Sequence, residues 1–360
     1  MMAGPGSGLS TQLCMIDEAT YGVAPALTGA LFYEFTSEQL KSKKTTVQGI
    51  GLHPQALHGR AARRVLTNWE AAGPIAMDLP DRQLNKLLFR MFGSYGQAKA
   101  TLTQDASTGA YSAVHAPGDL GGHSFVIQKG VPAVDNAAVE PFTYVGCKIA
   151  DWEISVQTGE IAKLALTIDA RNELAGGGNA DPLNGSVPGL LAFTSVPGGV
   201  FHFAEAALYT GGTPSTSTGV TSVSGATLAG NIKSANVKYT IPYDSTRFFL
   251  GGAGFKSEQI QNALRTIGGQ FVVEWLSSEA MYNTYAADTA TTLELRFTGA
   301  IIGSGADHSM LSILVPNIHL DGDAPEVPGP AVITQTVPFT GLDDGTNNPI
   351  QATYWTLDTV

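Results

Sequence analysis

The chain has 360 residues, enough for two domains of the usual size, and 43% of them are hydrophobic, which fits a folded protein and excludes a disordered one. Only 14% are charged, and the 42 glycines exceed the ~7% usual in proteins, a composition that points to Gly-rich β-structure with surfaces held by other surfaces. The net charge of −11 excludes a duplex-gripping basic stripe.

In chain order, residues 1–29 read as a Gly/Pro/Thr-rich arm with neither a basic start nor an apolar stretch of the signal-peptide kind. No apolar run reaches the ~20 residues needed to span a bilayer, so a reduced, cytoplasmic site of synthesis is expected. Leu31 to Leu40 alternates as a strand. A long polar segment follows, 41–64, in which Lys41, Lys43, Lys44, Arg60, Arg63 and Arg64 concentrate much of the cationic charge. "RVLTNWEAAGPIAMDL" reads as a hairpin of two strands. "PDRQLNKLLFRMFG" reads as a helix with Pro80 in its first turn, Leu84, Leu87, Leu88 and Met91 on one face, and Gly93 closing it. His123–Gly130, Tyr144–Gln157 and Glu160–Arg171 read as strands parted by turn residues, the pattern of a sandwich or barrel. Residues 176–189 have linker composition and 210–225 read as a polar loop.

The second half repeats the grammar of the first. Phe35 pairs with Phe203 and Leu40 with Leu208. Gly73 pairs with Gly269, Ile75 with Phe271, and Asp78 with Glu274. His123 pairs with His308, Ile161 with Ile350, and Asp169 with Asp358. The order never changes, which points to a duplication: a first domain of residues 1–180, with the N-terminal arm and the 41–64 loop, and a second of 181–360, with the 210–225 loop.

No nucleophile elbow, P-loop or zinc-protease helix is present. The glycines at 176–178 lack the strand-to-helix setting of a phosphate cradle. His53 and His58 flank a proline in the basic segment and read as a solvated loop rather than metal ligands. Asp321, Asp323 and Glu326 offer oxygen ligands but lack the EF-hand spacing, so a strand-end turn is expected there, as at Asp343 and Asp344. Trp69, Trp152, Trp275 and Trp355 fall in strands, and Trp275, opposite Leu79 in the repeat, reads as core. Asp151 and Glu153 share one strand face, too close in sequence to flank a substrate. Cys14 and Cys147 are in no metal spacing. No catalytic, cofactor or metal site is expected, and the chain reads as a building block.

The stretches "GSGLSTQLCMIDEATYGVAPALTGALFYEFTSEQLKSKKTTVQGIGLHP" and "RAARR" resemble the start of the tail tube (major tail) proteins of long-tailed bacteriophages. The similarity continues through "GPIAMDLPDRQLNKLLFRMFG", "TYVGCKIADWEISVQTGEIAKLALTIDAR" and "PAVITQTVPFTGLDDGTNNPIQATYWTLDT". The resemblance implies a mainly β fold of two tandem tube-type sandwich or barrel domains, each with one flanking helix, joined into a ring with an inner β-barrel. It implies no reaction. Its partners would be further copies of the chain, the tape measure, tail terminator and baseplate proteins, with double-stranded DNA passing through without sticking and no membrane insertion. The expected place is the virion tail, after assembly in the host cytoplasm. The basic segment, Lys41, Lys43, Lys44, Arg60, Arg63 and Arg64, is then expected to serve stacking between rings, its alternative being a solvated charged loop. Two domains per chain lead to a trimeric, pseudo-hexameric ring, with a hexamer as the alternative. A baseplate hub, a tube of a contractile system and a carbohydrate-binding sandwich module are the other readings.

Overall fold

The computed structural model describes residues 7–359 except 53, 55–56, 94–100, 133–138, 176–190, 276–279, 323–326, 328 and 331. The 176–189 stretch, His53, Asp323 and Glu326 therefore lie outside the described residues.

The protein is mainly β and folds as a β-sandwich. Its principal elements are β1 (Gln12–Asp17), β2 (Lys41–Gln48), β3 (Arg64–Asp78), α1 (Leu84–Phe92), β4 (Tyr111–His115), β5 (Phe125–Pro132), β6 (Val139–Gln157), β7 (Lys163–Ala170) and β8 (Asn172–Ala175). The second half supplies β9 (Ala206–Thr210), β10 (Ile232–Thr240), β11 (Thr266–Glu274), α2 (Ala280–Ala286), β12 (Thr291–Ile301), β13 (His308–Leu320), β14 (Thr334–Gly341) and β15 (Gln351–Thr356).

Neighbouring strands in the first half run β1, β5, β6, β7, β3, β2, all antiparallel. In the second half they run β9, β12, β13, β14, β11, β10, again all antiparallel. The end of β6 pairs with β10, so the ladder crosses the 180/181 boundary without a break. A second link joins β15 to β4.

The 19 residues of β6 serve two sheets: its first part pairs with β5 and β8, its second with β7 and β10. The chain changes direction at Gly146, whose φ of +64° few side chains would adopt. Alternation then buries Trp152, Ile154 and Val156, which meet Leu164, Leu166 and Ile168 of β7 and Val237 and Tyr239 of β10 in one core. α1 lays Leu84, Leu87, Leu88 and Met91 onto that core, and Phe92 packs 5.1 Å from the Trp152 ring.

Several local expectations are corrected. Residues 64–78 form one strand, not a hairpin. Gly73 marks a close approach of backbones, not a turn: a Cβ there would stand 2.3 Å from the Gln39 carbonyl oxygen, and Gln39 N–H donates to the Pro74 carbonyl across the pair. Pro80 lies outside α1, in an isolated bridge to Val200, and the helix is entered through Gln83 with φ of +63°. Gly93 does close the helix, with φ of +83°. The arm contains β1, whose Leu13, Cys14 and Met15 are buried. The expected 31–40 strand is split into Leu31–Phe32 and Ser37–Glu38. The 210–225 loop holds a small hairpin, Thr213–Ser217 against Val220–Ser224.

Candidate assembly surface

The sheet formed by β2, β3, β7, the end of β6, β10, β11 and β14 buries one face and opens the other. Because strand side chains alternate, the residues between the core positions line the open face. On β6 these are Asp151 and Glu153, facing one way as expected, with Trp152 buried between them.

The polar groups of this face satisfy one another. Lys43 lies 3.2 Å from Glu70, Lys238 lies 3.4 Å from Asp151, and Lys163 lies 3.1 Å from Glu160. Asn236 donates to Glu153 at 2.8 Å, Thr167 to Asp151 at 2.8 Å and Thr340 to Asp321 at 2.6 Å. Each of these three lysines sits beside a carboxylate that neutralises its charge toward a polyanion.

The six basic residues occupy a projecting hairpin. Lys41, Lys43 and Lys44 lie on β2, Lys41 and Lys43 toward the open face; Arg63 ends a short 3-10 turn, with Arg60 before it and Arg64 opening β3. The hairpin is held by backbone bonding of Gly49 N–H to Arg63 O (3.0 Å) and by the Gln48 side chain donating to Arg60 O (3.0 Å). Its tip exposes Ile50, Leu52 and Leu57 at 92%, 94% and 89%. The segment is thus paired strand and turn, and more apolar at its end than a solvated charged loop would be.

The corresponding connection of the second half, 241–265, folds back on the sheet. Phe255 bridges to Trp69, the wholly buried Lys256 pairs with Asp169, Lys148 lies 2.7 Å from Glu258, and Gln259 donates to Gly146 O at 3.2 Å. Burial pushes the Asp169 carboxyl above its ordinary range and Lys256 pulls it back.

Among the described residues, two edges of the sheet are unpaired on one side. One is Ser37–Glu38 with β2, which bond only to β3. The other is the flank of β14 from Thr334, paired to β11 on its far side; the chain leaving β13 starts along it, with Asp321 N–H donating to Pro338 O at 2.9 Å. Glu38 and Lys129, not singled out from the sequence, form a 3.0 Å ion pair at the first edge; nothing in their spacing signals it.

Among the described residues no group of three His, Cys, Asp or Glu is placed to hold a metal ion. Asp343 and Asp344 make the expected turn, accepting from the N–H groups of Gly345 and Thr346, each at 2.8 Å. Cys14 and Cys147 are free and buried, and burial pushes the Cys14 thiol up to about 11. Trp275 is half-buried beside a cavity of about 350 Å³ between β11 and α2. No helix among the described residues is long and apolar enough to cross a membrane.

No curated protein matches the chain. A family model described as phage tail tube protein matches residues 8–341, which takes in both halves, the projecting hairpin and both unpaired edges. The chain belongs to the phage tail tube protein family, a structural component of the virion.

Proposed function

We propose that this chain polymerises into the tube through which the phage genome leaves the virion. The observation that carries the reading is one antiparallel sheet running through both halves, polar on its open face and, among the described residues, unpaired at each end. Edge strands are aggregation hazards unless closed, and a ring closes them. The open face becomes the lumen, and its paired charges offer DNA few sites for counterion release.

Each half supplies four strands to the ring wall: β2, β3, β7 and the end of β6, then β10, β11, β14 and the end of β13. Three chains would then give the six wall units of a pseudo-hexameric ring. Stacking uses the projecting hairpin. The apolar tip and Arg60, Arg63 and Arg64 would reach the acidic surface of the next ring, with Lys44 along the arm and Lys41 and Lys43 at its root. Tape measure, terminator and baseplate proteins meet the tube's bore and ends, and assembly takes place in the host cytoplasm. Electron microscopy of purified protein tests the reading: hollow tubes of indefinite length are expected. Globules with no rings would overturn it, and single closed rings would favour a baseplate hub.

A further inference from the structure

Helix α2 follows β11 as α1 follows β3, but the two helices meet the sheet differently. α1 buries eight of its nine residues, whereas no described side chain of α2 is buried. Carried on from the pairing of Gly73 with Gly269, the core-facing Leu87, Leu88 and Met91 fall at Asn283, Thr284 and Ala287. Short and polar side chains cannot fill the space that three long apolar ones fill. The result is the cavity of about 350 Å³ between β11 and α2. Phe271, Val273 and Ile318 are its buried lining, Trp275 and Met281 stand above them, and Leu228 is 62% exposed at its edge.

This cavity and the hairpin tip lie at opposite ends of the strands. β3 leaves the hairpin at Arg64 and ends at Asp78. β7, the end of β6, β10 and β11 follow it in successive antiparallel steps, so β11 runs the same way as β3. Glu274 and Trp275 therefore stand at the end remote from the bare Ile50, Leu52 and Leu57.

We infer that the cavity under α2 is the socket for the hairpin tip of a second copy of this chain, in the next ring. This rests on the stacking reading and adds where the hairpin lands. An apolar patch at one end of a molecule that fits a pocket at its other end makes a head-to-tail contact, which adds copies without limit. The chain divides the two roles between its halves. The first half sends out its hairpin while α1 covers its own core; the second half ties its 241–265 connection down through Lys256 and Asp169 and leaves the space under α2 open. Each hairpin of one ring can then meet one socket of the next. Charge agrees with the fit. Exposed Arg60, Arg63 and Arg64 flank the tip, and the socket carries Glu274 in its wall and exposed Asp288 just beyond α2. In the free chain these carboxylates face Lys233 at 3.0 Å and His319 at 2.7 Å.

The full chain tests this in three forms. Leu52→Asp/Leu57→Asp charges the plug and Thr284→Phe fills the socket from α2; all three positions reach solvent, so circular dichroism and melting should match the parent. Either variant should lower the yield of tubes in electron micrographs at least tenfold while closed rings persist. The third form carries Leu52→Cys with Leu228→Cys, and its mismatch carries Leu52→Cys with Val200→Cys, exposed beside Pro80 at the same end of the sheet. Assembled protein is treated with a short bismaleimide and the links are mapped by mass spectrometry. Interchain links from 52 to 228 are expected, at least tenfold above those from 52 to 200 and absent before assembly; the buried Cys14 and Cys147 contribute little background. Tubes that link 52 to 200, or link neither, overturn the socket and leave the tube reading standing. Tubes at parent yield from a folded Thr284→Phe chain do the same, and if that chain fails to fold the links decide. Links from 52 to 228 in fibres without a bore support the socket and remove the tube reading. Neither links nor tubes overturns both.

Discussion

Gly73 and Gly269 carry the closest backbone approaches in the sheet, and their substitution is the most direct probe of the fold at the residue scale. In Gly73→Ala the new methyl must displace the Gln39 carbonyl, which is backbone and cannot swing aside. A loss of about 1–3 kcal/mol is expected, as for overpacked cores, and the same for Gly269→Ala against Asn236 O. Urea unfolding checks this; midpoints unchanged from the parent would contradict it. His115 is wholly buried, 3.1 Å from Asn85 Oδ1, and burial lowers its pKa from 6.5 to about 3. The folded state therefore disfavours the proton that the unfolded chain takes up near pH 6.5. Stability from this group is complete above that pH and falls as pH drops toward 3, at about 1.4 kcal/mol per pH unit. The His115→Gln variant should lack that part of the slope between pH 6 and 4; parallel slopes would contradict the assignment. The facing of Asp151 and Glu153 was legible from alternation alone. The Lys256–Asp169 and Lys129–Glu38 pairs were not, because each joins residues far apart in the chain.

At the scale of elements, the hairpin of β2 and β3 stands apart from its counterpart in the second half. The 241–265 connection returns to the sheet, while the 49–63 tip keeps Ile50, Leu52 and Leu57 bare. Reversing Arg60, Arg63 and Arg64 to Glu should leave single rings folded and block stacking, since charge complementarity sets register between surfaces. Tubes of normal length from this variant would contradict the stacking role. Helix α1 and most first-half strands were readable from spacing and turn residues. The Gly73–Pro74 step misled because the same two residues that make turns also fit a strand where another backbone comes close. The sequence pairing of Gly73 with Gly269 falls on matching places in the two ladders, Gly73 opposite Ile168 and Gly269 opposite Phe339. Elsewhere the sequence pairing slips by a strand: it sets β5 beside β13, as His123 with His308, whereas the ladders set β5 beside β12 and β6 beside β13. Period-two apolar patterns look alike from strand to strand, and only the hydrogen-bonded register separates them.

For the whole molecule, family membership and β-sandwich class were within reach of the sequence, because they rest on ordered motifs over most of the chain. The continuity of the sheet across the halves was not, since it depends on β6 meeting β10 more than 70 residues away. On the proposed function, that continuity lets one chain supply two wall segments. The most direct test is the number of chains in each ring, from the rotational symmetry of tubes seen by electron microscopy together with the mass of a single ring. Three chains in a ring of six similar wall segments are expected. Six chains to a ring of that kind would contradict the account and leave the two halves without their shared role.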